Sequence, residues 1–408
     1  MALNLGSGSK PEAAPPDANQ QGIGISSSLK EPVQSVAPVP APAPEKKAAV
    51  VLKGGKLGGS GALGAVLAEI KKKKGDGIAM AGSQIPVVGR IPTGVFEFDL
   101  STGGGFPRSR YSIVYGPESS GKTNLVLRGI ANAQKLPPPC NKAVLIDLEG
   151  TFDPTWAKQL GVDVDELVVL KPGYGEEAGD LLEAVIRAED VAIVALDSLA
   201  VMVSSKEAEQ SLEKFDVGTS SLLIKRMVNK VIIALAEEYR KGHEPAVVFV
   251  NQTRFKIGVM FGDPETMPGG QAMKFLCSLT VRLYGKNKID KSVNPDLPAY
   301  KETSAVIKKA KVGVTKYAFE YDMAMIPHNG LGVGDTNSWG VVQAHLKQMG
   351  KLVKTPKGWE LLGTTYPTLS VIEDMYQAEN DFMLRLQSMV IDSYKGQMIL
   401  VSDPSEGS

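Results

Sequence analysis

Gly116-Pro117-Glu118-Ser119-Ser120-Gly121-Lys122-Thr123 places two glycines, a lysine and a hydroxyl at the spacing of a phosphate-binding loop. Each residue type has a task there. Glycines let backbone N–H groups approach phosphate oxygens, the lysine reaches the β and γ phosphates, and the threonine hydroxyl ligates Mg²⁺. An apolar run ends at Tyr115 and a helical pattern starts at Lys122, so the first amides of that helix would face the anion. The plain alternative is a Gly/Ser turn ahead of a surface helix. The flanking strand and helix favour the nucleotide site.

Further side chains can complete such a site. The apolar run from Val191 closes on Asp197, and a carboxylate at a strand end beside the loop can hold the Mg²⁺ shell. Aspartate also caps strand ends without any metal, but with a phosphate loop upstream the metal role is favoured. Glu149 follows a second run, Ala143–Asp147. It can supply the base or positioning group for an attacking water, or be a solvated loop residue, and spacing does not choose. Gln252 ends the run from Ala246 and can orient water or sense the γ-phosphate. Glutamine is also an ordinary turn residue, so that reading stays open.

Such side chains need a scaffold that brings several strand ends to one edge. Short Val/Ile/Leu-rich runs at Tyr111–Tyr115, Ala143–Asp147, Val191–Asp197 and Ala246–Asn251 alternate with helical patterns at Lys122–Lys135, Glu176–Ala188 and Gly218–Arg240. That alternation predicts an α/β fold with a mainly parallel central sheet covered on both faces. Strands then follow one another at Leu279–Tyr284, Ala305–Ala310 and Tyr317–Met325, which predicts antiparallel additions at the sheet edge. Asn337–Met349, a Gly358-Trp359 turn and Val371–Tyr394 read as a small α-rich C-terminal domain over 329–408. Residues 1–60 are rich in Pro, Ala, Gly and Ser and read as a disordered tail. A short amphipathic helix, Gly61–Lys74, is too marginal to stand alone and needs a surface to cover.

Composition narrows the class. Hydrophobic residues make up 43% and charged residues 22% of the 408, as in a globular protein. Lys and Arg number 45 against 45 Asp and Glu, so any nucleic-acid site must be local. Cys140 and Cys277 form no disulfide framework and lack metal-ligand spacing. No run is apolar for long enough to span a bilayer and the amino terminus has no secretory layout, so a cytoplasmic protein that makes no use of membranes is expected.

Several segments together resemble the RecA family of recombinases, of the bacterial type and its phage relatives. Besides Gly116–Thr123, they are Ile91-Pro-Thr-Gly94, Phe98-Asp-Leu100, Gly103-Gly-Gly-Phe-Pro107, Asp147-Leu-Glu-Gly-Thr-Phe-Asp-Pro154 and the long stretch Asn251–Gly270. The resemblance implies a RecA-like P-loop NTPase core over 91–328 and an N-terminal helix-strand segment over 61–90 that docks on the adjacent protomer. It puts the catalytic glutamate on Glu149, the γ-phosphate sensor on Gln252, and an adenine-contacting pair on Asp153 and Trp156. Lys309 and Lys311 match lysines that approach the neighbouring protomer's nucleotide, and Lys274-Phe275 matches a subunit-contact pair.

The DNA-binding loop would begin just past Gln252. Arg254 and Lys256 suit phosphates, while Ile257, Gly258, Val259, Met260, Phe261, Gly269 and Gly270 offer apolar wedges and close backbone approach. A first DNA loop is expected near Lys206–Val217, with Arg226 on the following helix. The implied activity is an ATP- and Mg²⁺-dependent recombinase that forms a head-to-tail filament on single-stranded DNA and pairs it with a homologous duplex. A RecA-fold ring helicase or other DNA-repair ATPase is the alternative.

Overall fold

The computed structural model describes residues 61–75, 85, 87–209, 219–255, 265–328, 330–394 and 398–401. The expected tail over 1–60 lies outside the described residues. Helix α1 (Ala62–Lys74) is followed by the short antiparallel pair β1 (Arg90–Ile91) and β2 (Phe106–Pro107), which flanks helix α2 (Phe96–Thr102). The chain then alternates β3 (Tyr111–Gly116), α3 (Lys122–Ala133), β4 (Lys142–Asp147), α4 (Pro154–Gln159), β5 (Leu167–Leu170), α5 (Gly175–Ile186) and β6 (Val191–Asp197). Next come α6 (Ser205–Glu209), α7 (Thr219–Lys241), β7 (Ala246–Gln252), the small strands β8 (Arg254–Phe255) and β9 (Glu265–Thr266), and α8 (Gly270–Leu276). Strands β10 (Leu279–Lys288), β11 (Tyr300–Val314) and β12 (Ala318–Ala324) complete the core.

One sheet organises these strands in the order β12-β11-β10-β3-β7-β6-β4-β5. From β10 to β5 neighbours are parallel, whereas β10, β11 and β12 pair antiparallel. The central strands β3, β6 and most of β7 are buried along their length, which explains their unbroken apolar runs. Leu125 and Ile130 of α3 pack on one face with Leu145, Ile193 and Val248. Leu182 of α5 and Val228 and Val231 of α7 pack on the other with Ile113, Leu196 and Phe249. Because β3, β4, β6 and β7 run the same way, their carboxyl ends share one edge, where ligands of open α/β sheets bind.

The C-terminal residues form α9 (Trp339–Gln348), β13 (Leu352–Thr355), β14 (Gly358–Leu361), β15 (Thr364–Tyr366), α10 (Leu369–Ala378), α11 (Asn380–Tyr394) and β16 (Ile399–Val401). Their apolar side chains share a third cluster with Phe96 and Leu100 of α2. Helical periodicity alone did not reveal three features here. Gly358-Trp359 opens a strand of a three-stranded antiparallel meander, β13-β14-β15, rather than a turn. The pattern over Val371–Tyr394 divides into two helices at Glu379, whose backbone is extended. Strand β16 returns to the main sheet and pairs with β11. No helix of the described residues is long and apolar enough to cross a membrane.

Candidate active site

The phosphate loop is a backbone cradle held from behind by the antiparallel strands. A Cβ on Gly116 would lie 2.2 Å from the Leu283 carbonyl oxygen, and Gly121 sits at φ 90°, so both positions demand glycine. Gly285 of β10 is equally restricted, since a Cβ there would lie 2.7 Å from the Ser120 carbonyl oxygen. Lys122 Nζ donates to the carbonyls of Gly116 at 3.2 Å and Pro117 at 2.6 Å. Burial pushes its pKa down, opposed by the negative charges of Asp197, Glu149 and Glu118.

Thr123 and Asp197, assigned to the metal from sequence, are in contact: Thr123 Oγ1 donates to Asp197 Oδ2 at 2.8 Å. Asp197 is 8% exposed. Burial raises its pKa to about 6, with the Thr123 hydrogen bond opposing and the Glu149 charge reinforcing the shift. A hydroxyl and a carboxylate side by side, next to loop amides, form the hard-oxygen donor set that suits Mg²⁺ bound with phosphates. These residues fit a Mg²⁺–nucleotide.

Glu149 stands on the turn after β4. Its Oε1 accepts from Gln252 Nε2 at 3.1 Å and from the Ser198 hydroxyl. Glu149, Gln252 and Asp197, read from three separate strand ends, are thus brought together. Asp147 is the residue sequence reading passed over. Its carboxylate accepts the Gly150 N–H at 2.8 Å and the Phe152 N–H at 3.1 Å, which shapes the turn that presents Glu149. Its place at the strand end was the available signal, and it looks the same as a metal ligand's.

Trp156 lines the cleft beside the phosphate loop, and Asp153 joins it, Thr123 and Asp197 around an adjoining pocket. Asp153 Oδ1 caps α4 by accepting from the Thr155 and Trp156 amides at 2.7 and 3.2 Å. The Trp156 indole Nε1 donates to Asn124 Oδ1 at 2.9 Å, which fixes the ring against the start of α3. Ser119, Ser120, Gly121, Lys122, Thr123, Asn124, Trp156, Lys301 and Met325 line a cleft of about 250 Å³. Lys301 and Met325 carry no motif signal.

The base of the expected DNA loop is joined directly to the phosphate loop. Register pairs Gly116 with Gln252, and the Thr253 N–H donates to the Gly116 carbonyl at 3.1 Å. Arg254–Phe255 pairs with Glu265–Thr266 as a small antiparallel ladder. Glu265 Oε1 accepts from Thr253 Oγ1 at 3.0 Å and Arg282 Nε at 2.8 Å, and its Oε2 pairs with Arg282 Nη2. Arg254 Nη2 donates to the Ala200 carbonyl at 3.3 Å. Lys256, Ile257, Gly258, Val259, Met260 and Phe261 lie outside the described residues, as does most of the expected first loop. Gly269 and Gly270 adopt positive φ at the start of α8, and Arg226 is exposed on α7. Lys309 and Lys311 stand on β11 with their ammonium groups on the Phe275 carbonyl, and neither lines the cleft of its own chain.

A family model described as the RecA N-terminal domain matches residues 61–326. The chain is 38% identical over 306 residues to protein RecA of Rhodopirellula baltica, covering 74% of this chain and 76% of that protein. It is 40% identical over 225 residues to protein RecA of Oceanobacillus iheyensis, covering 54% and 62% respectively. Protein RecA of Roseiflexus castenholzii is 38% identical over 273 residues, 66% of this chain and 73% of that protein. With the family match running from α1 to the end of the core sheet, the chain belongs to the RecA family of recombinases, DNA-dependent ATPases of homologous recombination and DNA repair.

Proposed function

We propose that this chain binds ATP with Mg²⁺ at Gly116–Thr123 and uses it to set its grip on single-stranded DNA through the loop from Thr253 to Gly270. The observation that carries this reading is the position of Gln252. Its side chain bonds Glu149 in the nucleotide site, while the next residue's amide bonds the first residue of the phosphate loop. Nucleotide and DNA loop therefore meet at one amino acid. Bound Mg²⁺ would offset the charge of the β and γ phosphate oxygens.

The residues divide the remaining work. Lys122 and the loop amides of Glu118–Thr123 hold phosphates, Thr123 and Asp197 supply oxygen ligands, and Trp156 with Asp153 receives the base. Glu149 takes a proton from, or orients, the attacking water. Arg254 and Lys256 contact DNA phosphates, Met260 and Phe261 wedge or stack on bases, and Arg226 adds charge nearby. Lys309 and Lys311 face the nucleotide of the next protomer, and Leu63 and Val66, exposed on α1, cover that protomer's surface. Head-to-tail contacts of this kind do not close, and the result is a helical filament that pairs its strand with a homologous duplex in the cytoplasm of a bacterial or phage-infected cell. The segments divide accordingly into a tail (1–60), a docking segment (61–90), the ATPase core (91–328) and a C-terminal domain (329–408).

The test is ATP hydrolysis with and without single-stranded DNA, with imaging of the ATP-bound complex. Stimulated turnover and extended filaments are expected. Closed rings with turnover indifferent to DNA would instead place the chain with ring helicases.

A further inference from the structure

One cation in the cleft is accounted for by no motif. Lys301 lies on β11, is 6% exposed, and donates at 2.8 Å to the Ser119 carbonyl and at 2.8 Å to Asn287 Oδ1. Both acceptors are neutral. Among the described residues no carboxylate pairs with this ammonium, whereas Lys122 feels Asp197, Glu149 and Glu118. Burial alone drives the Lys301 pKa down. A buried charge without a counter-charge is costly, and its remedy is an anion.

The surroundings say which anion. The stem of Lys301 packs on the phosphate loop, since a Cβ on Gly121 would lie 3.3 Å from its Cδ. Its ammonium bonds the carbonyl of Ser119, immediately before the amides of Ser120, Gly121 and Lys122 that are suited to phosphate oxygens. It lines the same cleft as those residues. Resting on the nucleotide reading given above, we infer that Lys301 is a second cationic contact for the nucleotide's phosphate chain, supplied by the same protomer from the antiparallel part of the sheet. It acts on the α and β phosphates, which ADP and ATP share, and lets the cleft discriminate a polyphosphate from a nucleoside.

The probes are ADP with Mg²⁺, inorganic tripolyphosphate and adenosine, measured on the full chain by calorimetry. In Lys301→Met, ADP and tripolyphosphate are expected to bind about tenfold more weakly, roughly the worth of one charge-assisted contact. Adenosine binding should be unchanged, and Lys301→Arg should restore most of the loss. A flatter dependence of ADP affinity on salt should accompany the methionine variant. Wild-type ADP affinity in a folded Lys301→Met would overturn the assignment. So would an equal loss for ADP and adenosine, the mark of a brace that only shapes the cleft. If the methionine variant does not fold, Lys301→Gln replaces it with the same two outcomes. Lys122→Ala separates the levels: should it bind ADP normally, the nucleotide site itself is misplaced, whatever Lys301 does.

Discussion

Gln252 Nε2 donates to Glu149 Oε1 at 3.1 Å, across 103 residues of sequence. One amide thus links the carboxylate proposed for hydrolysis to the residue that precedes the proposed DNA loop. The same strand end is tied by its backbone to Gly116, which accepts the Thr253 N–H, so the first residue past Gln252 shares a hydrogen bond with the phosphate cradle. An amide has few strong partners it can satisfy at once. Exchange of Glu149 for a γ-phosphate oxygen would reset Gln252 and bias the loop, in the manner of segments ordered by nucleotide.

Replacing Gln252 with Ala should leave nucleotide affinity within about twofold, since the phosphate loop and Trp156 are untouched. The increase in single-stranded DNA affinity that ATP brings should disappear. Fluorescence anisotropy of labelled oligonucleotide, with ATP and with ADP, reads this directly. An ATP-dependent gain equal to the wild type's would refute the coupling.

Glu149→Gln separates hydrolysis from binding. The amide can still accept from Ser198, but it cannot take a proton from water, and general-base contributions amount to about 10²–10⁴-fold in rate. Turnover of ATP with DNA should drop by at least about 100-fold. DNA should remain tightly bound in ATP, because release would then lack its trigger. Rapid release from DNA in this variant would contradict the assignment.

Protonation of Asp197 should govern the acid limb of nucleotide binding. Its folded pKa is raised to about 6 by burial, so below that pH the carboxyl is neutral and a poor Mg²⁺ ligand. The effect on fold stability has the opposite sense. A raised carboxyl pKa means the group's contribution is full below its unfolded value and is lost as pH rises through about 6. Affinity for ADP with Mg²⁺ is expected to weaken between pH 7.5 and 5.5, and in Asp197→Asn it should be weak and fall less steeply, leaving only the titration of the nucleotide's own phosphate at about pH 6. A wild-type profile of the same steepness in Asp197→Asn would assign the titration elsewhere.

Much of this site is legible in sequence because it is built from strand ends. Asp197 and Gln252 close apolar runs and Glu149 follows one, and parallel pairing of β4, β6 and β7 then brings their ends to a single edge. Lys301 gave no such signal. It sits inside a long antiparallel strand that alternates polar and apolar residues, and only the pairing of β11 with β10 shows that it points at Ser119 rather than at solvent. Asp147 was ambiguous for a different reason: an aspartate that shapes a turn and one that binds metal occupy the same place in the pattern. The pairing of Glu265 with Arg282 depends on side chains converging from a loop base and a strand, which periodicity does not record.

That pair leads to a prediction of its own. Arg282 is mostly buried, its guanidinium grips both oxygens of Glu265, and it lies 4.0 Å from the centre of the Tyr284 ring. Removing Arg282 takes from Glu265 a cation that contacts both its oxygens, and breaking such a pair costs up to about 3–5 kcal/mol when fully buried. In Arg282→Ala the ladder between β8 and β9 should loosen and single-stranded DNA affinity fall at least about tenfold. ADP affinity should change little, because Glu265 touches Thr253 rather than the phosphate loop. Loss of ADP binding instead, with DNA affinity intact, would show that the clamp serves the nucleotide side.

Glu97 offers a test of the joint between the ATPase core and the C-terminal helices. It is 6% exposed on α2, and its Oε2 has no hydrogen-bond partner. Burial raises its pKa to about 7; Asp99 and Asp322 push the same way, and its own backbone and Lys316 oppose. The unfolded chain releases this proton near 4.5, so the group's contribution is full below that pH and lost as pH climbs through about 7. At pH 8 the wild type therefore buries an ionised carboxylate, and Glu97→Gln should be the more stable protein by up to about 3 kcal/mol, at roughly 1.4 kcal/mol per pKa unit. Near pH 5 the two should denature alike. Urea titrations at both pH values provide the comparison, and a stability difference that does not change with pH would mean that Glu97 is not the titrating group.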